Sequence, residues 1–340
     1  MLFRRKCGID LGTDIIKICD KNEKLTVYEK NMLAIRNKVN VIAIGQRAFD
    51  IYEKAPACVE VGCPMIHGAV ADSKNLEIVL TGLLKRFSTF FCKSPDILIT
   101  APSEISEVER RAFYNVLSGK IKAKRITLID KGIADAVGIG MPVMLQMGNM
   151  VVNIGAATTE ISVISEGKVI MGRKLKTGGQ ALDADIATMV RRRFNLNIGN
   201  KTAENLKNKL AYIQKGPERT LEVFGIHNVS GLPRSAEIPS LAVSVSIIET
   251  IDVIVDAIEG TLGRIPPQLM EDIRKNGIYL TGGVSVLPNL ADYMQKELGI
   301  HVYNVNAPAD STLRGIVQIM NDKELRKLTY SLKDFMGKTI

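Results

Sequence analysis

A chain of 340 residues, 46% of them hydrophobic and 24% charged, is too long for one typical core and too apolar to be disordered; it suits two domains or one large two-lobed one. Its net charge of +9 fits an anionic membrane surface or nucleic acid equally well, but no helix-turn-helix or aromatic RNA-binding signature accompanies it, so no nucleic-acid partner is expected. No apolar run reaches the roughly 18 residues of a membrane span, the five cysteines (Cys7, Cys19, Cys58, Cys63, Cys92) follow no signal-peptide pattern, and three scattered histidines make no zinc set, so a reducing cytoplasm is the expected setting.

In chain order, Gly8-Ile9-Asp10-Leu11-Gly12-Thr13 reads as a strand running into a Gly/Thr turn, which aims backbone N–H groups at a phosphate. A short buried strand is predicted over 97–101, and Ser106 with Glu109 forms a capping box for a helix through Leu117. A strand over 126–129 and a small-residue helix over 133–140 follow. Paired strands over 150–164 and 168–175 then enclose a second such turn, Asn153-Ile154-Gly155-Ala156-Ala157-Thr158. After the Gly178-Gly179 break come helices over 182–194 and 242–262, a strand over 277–280 and the turn Thr281-Gly282-Gly283. This βββαβα order, used twice, is expected to place a ligand in a cleft between two halves.

Several segments carry a specific resemblance: Asp10-Leu11-Gly12-Thr13, Thr158-Thr159-Glu160, Gly178-Gly179, Ala203-Glu204-Asn205-Leu206-Lys207 and Leu280-Thr281-Gly282-Gly283. In order and spacing they resemble the actin-like ATPases. With Cys63-Pro64-Met65, Gly68-Ala69-Val70-Ala71-Asp72, Glu107 through Ala112, Ala307-Pro308 and Arg314-Gly315, the chain resembles the bacterial MreB family over essentially its whole length. The resemblance implies an α/β chain of the actin-like ATPase fold: two ribonuclease-H-like lobes, smaller inserted subdomains and a central nucleotide cleft. The implied subdomains are IA (1–32, 74–145, 315–340), IB (33–73), IIA (146–180, 242–314) and IIB (181–241).

It also implies ATP or ADP bound with Mg2+. Asp10, Gly12, Thr13, Asp14 and Ile15 would meet the phosphates from one lobe, with Asp10 holding magnesium through water, and Gly155, Ala156, Ala157 and Thr158 from the other. Gly178 and Gly179 belong to the same site. Glu204 and Lys207, on one helical face, would meet ribose and base, with Gly282, Gly283, Val284 and Ser285 against the adenosine.

Several positions depart from the family pattern: Gly155-Ala156-Ala157 stands for a run of three glycines, Val284 for the third glycine after Leu280-Thr281, and two changes bear on hydrolysis. Lys131-Gly132 stands where the family has Glu-Pro, and Asn153 where it has aspartate. Lysine at neutral pH accepts no proton, and asparagine brings no charge, so hydrolysis is expected to be slow or absent. Lys131 either pairs with the γ-phosphate or turns to solvent.

Phe90 and Phe91 lie where the family inserts an apolar loop into the bilayer. Leu325, Leu328, Leu332 and Phe335 recur at helical spacing among basic residues, a second candidate for anionic lipid unless the tail packs on its own domain. The implied protein is a filament of itself, with other MreB paralogues as possible co-polymers, peripheral at the inner face of the cell membrane and serving shape or helical-cell motility. The alternatives are an actin-fold phosphotransferase or a chaperone-like ATPase that does not polymerise.

Overall fold

The computed structural model describes residues 6–22, 26–87, 95–102 and 105–331. Its strands and helices begin with a meander, β1 (Lys6–Leu11), β2 (Ile15–Asp20) and β3 (Thr26–Lys30). An insertion follows: β4 (Leu33–Arg36), β5 (Asn40–Ile44), α1 (Gln46–Ile51), β6 (Val59–Gly62), β7 (Met65–Ile66) and β8 (Ala69–Val70). Then come α2 (Ser73–Phe87), β9 (Asp96–Ala101), α3 (Glu107–Ser118), β10 (Arg125–Asp130) and α4 (Lys131–Gly138).

The plan restarts with β11 (Asn149–Ile154), β12 (Thr159–Ser165), β13 (Lys168–Leu175) and α5 (Gly179–Phe194). A second insertion holds β14 (Leu196–Asn197), α6 (Asn200–Leu210), β15 (Thr220–His227), β16 (Pro233–Pro239) and α7 (Ser240–Ser246). The remainder is α8 (Ile248–Leu262), α9 (Pro267–Asn276), β17 (Ile278–Thr281), a 3-10 turn at Gly283–Val286, α10 (Leu290–Leu298), β18 (Val302–Asn304), α11 (Ser311–Asn321) and β19 (Tyr330–Ser331).

The same sheet plan appears twice. One sheet runs β19-β10-β9-β1-β2-β3, with β9 parallel to β1 and the meander antiparallel. The other runs β13-β12-β11-β17-β18, with β17 parallel to β11. Buried β1, β9 and β11 read as nearly continuous apolar runs, as strands covered on both faces do. By contacts the chain divides into two compact units, Met1–Met147 with Ser162–Lys174 and Ala309–Ile340, and Gly148–Ile161 with Leu175–Pro308.

Several predicted boundaries move. The capping box at Ser106 and Glu109 forms as read. The small-residue helix starts at Lys131 rather than 133, because extended Asp130 serves as its N-cap. Helix α5 starts at Gly179 rather than 182, and the strand predicted over 277–280 lies at Ile278–Thr281.

The helix predicted over 242–262 is two helices, broken at Ile247. Ser246 Oγ donates to the Val243 carbonyl just before the break, the local side-chain bonding that competes with helix continuation. The helical spacing from Leu325 also fails within the described residues. Leu325–Leu328 is a single 3-10 turn, and Tyr330 then pairs with Leu128 as a strand at the sheet edge. Leu332 and Phe335 lie outside the described residues, as do Phe90 and Phe91.

Candidate nucleotide site

In the first unit, β1 and β2 are joined by a turn closed by the Gly12 N–H donating to the Ile15 carbonyl at 3.1 Å. A Cβ on Gly12 would lie 2.4 Å from that carbonyl oxygen. Asn31 braces the turn, its Nδ2 donating to the Gly12 carbonyl (3.0 Å) and its N–H to that of Asp14 (2.7 Å). Thr13 Oγ1 accepts the Gly68 N–H at 2.9 Å, and the Cys63 thiol donates to the Thr13 carbonyl at 3.0 Å. Burial pushes that thiol up to about 11, so it keeps its proton at neutral pH.

Asp14 is ion-paired with Lys30 at 2.9 Å, and Ile15 is exposed. Asp10 is buried and accepts from Thr100 Oγ1 at 3.2 Å. Lys131, half-buried, is the first residue of α4. Gly132 behind it sits flush against Ser162, whose Oγ a Cβ would meet at 2.1 Å.

Before Lys131, the Asp130 carboxyl accepts from the Tyr330 phenol at 3.2 Å. Burial pushes its pKa up, opposed by that bond and by the Arg110 charge. A raised folded pKa means that the proton is held more tightly in the fold. This group's contribution is therefore full below about pH 4 and is lost as pH rises through the folded value. Asp130→Asn should accordingly melt higher than wild type at pH 7, with the gain closing toward pH 4 in a Tm-versus-pH series.

In the second unit, the predicted residues of four segments meet. The Gly155 N–H donates to the Thr158 carbonyl at 2.9 Å, closing the second turn. That turn is clamped to α5, whose Gly179 and Gln180 N–H groups donate to the Gly155 and Ala156 carbonyls at 2.9 and 2.7 Å. The first N–H groups of α5 are thus spent on the turn. At Gly178 a Cβ would lie 2.6 Å from the Gly155 oxygen and 2.9 Å from the Thr158 nitrogen, so only glycine permits the clamp.

Lys207 reaches in from α6, its Nζ donating to the Gly179 carbonyl at 3.0 Å and pairing with Asp183 at 2.7 Å. Glu204, half-buried, stands one helical turn before it. Gly282 has φ +86°, and a Cβ there would be 2.4 Å from the Ile154 oxygen. Ser285 Oγ turns back onto the Gly282 carbonyl at 2.7 Å, a Cβ on Gly179 would lie 3.1 Å from Val284 Cγ2, and Gly283 is exposed with open space beside it. Asn153 is buried near the end of β11, in register with Thr281 of β17.

The structure therefore assembles each set within its own unit. Asn31, Thr100 and Asp183 were missed in the sequence. Asp183 was findable, since a lysine on the buried face of an amphipathic helix needs a counter-ion and Asp183 lies one turn into the helix opened by Gly178-Gly179. The turns present backbone with small side chains, which fits a polyphosphate. For a hard cation, the first unit offers the Asp10 carboxylate; in the second, Asn153 offers only an amide oxygen.

The MreB/Mbl protein family profile matches residues 4–328. The chain belongs to the MreB/Mbl family. One MreB/Mbl relative, the cell shape-determining protein Mbl of Bacillus cereus, is 33% identical over 311 residues, covering 90% of this chain and 93% of that protein. The crystal structure of MreB5 of Spiroplasma citri bound to ADP superposes with a TM-score of 0.89 at 28% identity, covering 96% of this chain and 98% of that one. The AMPPNP-bound form gives 0.90 at 26% identity with the same coverage. The fold is the actin-like ATPase fold expected from the sequence.

Proposed function

We propose that this MreB/Mbl chain binds ATP and ADP with Mg2+ and polymerises head-to-tail into filaments that pair antiparallel at the inner face of the cell membrane, with weak or lost hydrolysis. The observation that carries the reading is the clamped turn in the second unit, where glycines 155, 178 and 282 leave backbone in place of side chains. MreB5 of Spiroplasma citri, similar over nearly its whole length, is bound to ADP in one crystal structure and AMPPNP in another. Magnesium, when bound, would neutralise phosphate charge; Asp10 would hold it through water, with Asn153 able to hydrogen-bond a metal-bound water without adding charge.

Head-to-tail contacts do not close into rings, so an open polymer is the physical expectation. Membrane contact through Phe90 and Phe91, co-assembly with other family paralogues and a role in shape or motility belong to the same reading. A chaperone-like ATPase would pass the γ-phosphoryl group to water and a phosphotransferase would pass it to an acceptor, neither forming polymer.

Sedimentation with ATP, ADP, AMPPNP or no nucleotide, with phosphate release followed in the same tubes, tests this. Polymer with AMPPNP and little phosphate with ATP is the expected result; brisk release without polymer overturns it. Lys131→Glu combined with Asn153→Asp should raise phosphate release by about tenfold or more. An unchanged rate would remove these two positions as the cause of slow turnover.

A further inference from the structure

Away from the nucleotide-site residues, the first unit carries a groove of about 400 Å³, within the size range of ligand pockets. Val41, Ile42, Ala43 and Ile44, four consecutive residues of β5, line one side, and Ile78 and Gly82 of α2 the other. Successive side chains of a strand point to opposite faces, so a cavity over one face would touch every second residue. Strand β5 bulges against β4, its register skipping Ile42, so all four residues reach the groove beside the strand. Strand β5 ends the sheet β5-β4-β6, so among the described residues its outer backbone groups have no strand partner.

This edge is apolar and open, with Val41 and Ile42 41% and 42% exposed and Val39 before them 78% exposed. Proteins ordinarily blunt such an edge because it templates pairing with another chain. Three cations ring the groove: Arg47, Lys85 and Lys120. Arg47 and Lys85 are exposed and form no ion pair among the described residues, while Lys120 lies 4.0 Å from Glu77.

We propose that the β5 edge is a docking site for an extended segment of a partner protein in which acidic and apolar residues alternate, added as a further strand beside β5. Its backbone would satisfy the free edge, its apolar side chains would enter the groove, and its carboxylates would meet Arg47 and Lys85. Charge selects this occupant over the β5 edge of a second copy, which would bring its own Arg47, Lys85 and Lys120 against the same cations. The open backbone edge selects it over an acyl chain, which would leave those N–H and C=O groups unpaired.

The test uses the full chain without nucleotide and a fluorescein-labelled hexapeptide of alternating glutamate and valine, followed by anisotropy. Saturable binding is expected, with a Lys-Val hexapeptide failing to bind. Arg47→Glu with Lys85→Glu should weaken the acidic peptide at least about tenfold, both side chains being exposed and dispensable for folding. Of two Glu-Val peptides N-methylated at alternate residues, one should lose binding and the other keep it, because only one set of N–H groups faces β5. That comparison is made on the wild-type chain and stands whether or not the charge variant folds. Equal binding of the Lys-Val peptide, or indifference to both N-methylation patterns, overturns the proposal. So does retention of phosphatidylglycerol vesicles that the peptide does not displace and the double variant abolishes.

Discussion

Gly315→Val is expected to lower Tm by roughly 5–15 °C, or to abolish soluble expression, because helices α4 and α11 meet backbone to backbone. A Cβ on Gly315 would stand 1.8 Å from the Ala134 carbonyl oxygen, and one on Gly138 1.9 Å from that of Ser311. These are main-chain atoms of facing helices, and no rotamer change relieves such a clash. One helix must move. Moving α11 strains the 2.6 Å bond that Thr312 Oγ1 donates to Asp135, whose carboxyl is fully buried, and leaving a buried polar group short of its partner costs about 1–3 kcal/mol beyond the overpacking itself. The shift also reaches β1, because Ile316 of α11 already occupies the space a side chain at Gly8 would need. Thermal melts and nucleotide binding should therefore fall together. Gly263→Ala, at an exposed helix end where a Cβ meets nothing closer than 3.7 Å, is the matched control and should melt like wild type. Equal melting of the two variants would show that the close helix approach does not hold this unit together.

That contact illustrates what the sequence discloses and what it withholds. Arg314-Gly315 was legible as part of a family pattern, but its reason, a helix 177 to 181 positions earlier pressing its backbone there, exists only once the chain has folded. Strand-and-turn order was readable because β-branched runs and Gly/Thr turns are local signals, and both sheets follow it. Helix continuity through Ile247 was not, since alternating serine and valine satisfies an apolar period while Ser246 bonds back to Val243. The tail misled for a related reason. Leu325 and Leu328 keep helical spacing, but pairing of Tyr330 with the edge of β10 takes precedence over propensity. At the candidate site the glycines were visible and their partners were not. Gly178 reads as a break in sequence, while the fold uses it to let a turn and a helix share backbone hydrogen bonds.

Lys207→Met should destabilise by about 3–5 kcal/mol, because it removes the cation 2.7 Å from Asp183 where both side chains are nearly buried, at 10% and 13% exposure. Methionine keeps the length and much of the volume, so packing changes little and the loss is electrostatic. It also strips the Gly179 carbonyl of the donor that holds it at 3.0 Å, loosening the first residue of α5 against the Gly155–Thr158 turn. Adding Asp183→Leu should recover most of the stability, since replacing a buried pair by apolar groups is far cheaper than leaving one charge behind. The double variant then separates two roles for this lysine. If Lys207 serves the nucleotide only by neutralising Asp183, nucleotide affinity returns along with Tm. If its ammonium touches the nucleotide, as the family resemblance implies, Tm returns while affinity stays at least about tenfold weaker, the equivalent of 1.4 kcal/mol. A double variant no more stable than Lys207→Met would show that the pair is not coupled, and the clamp would then rest on the turn's own backbone bonds.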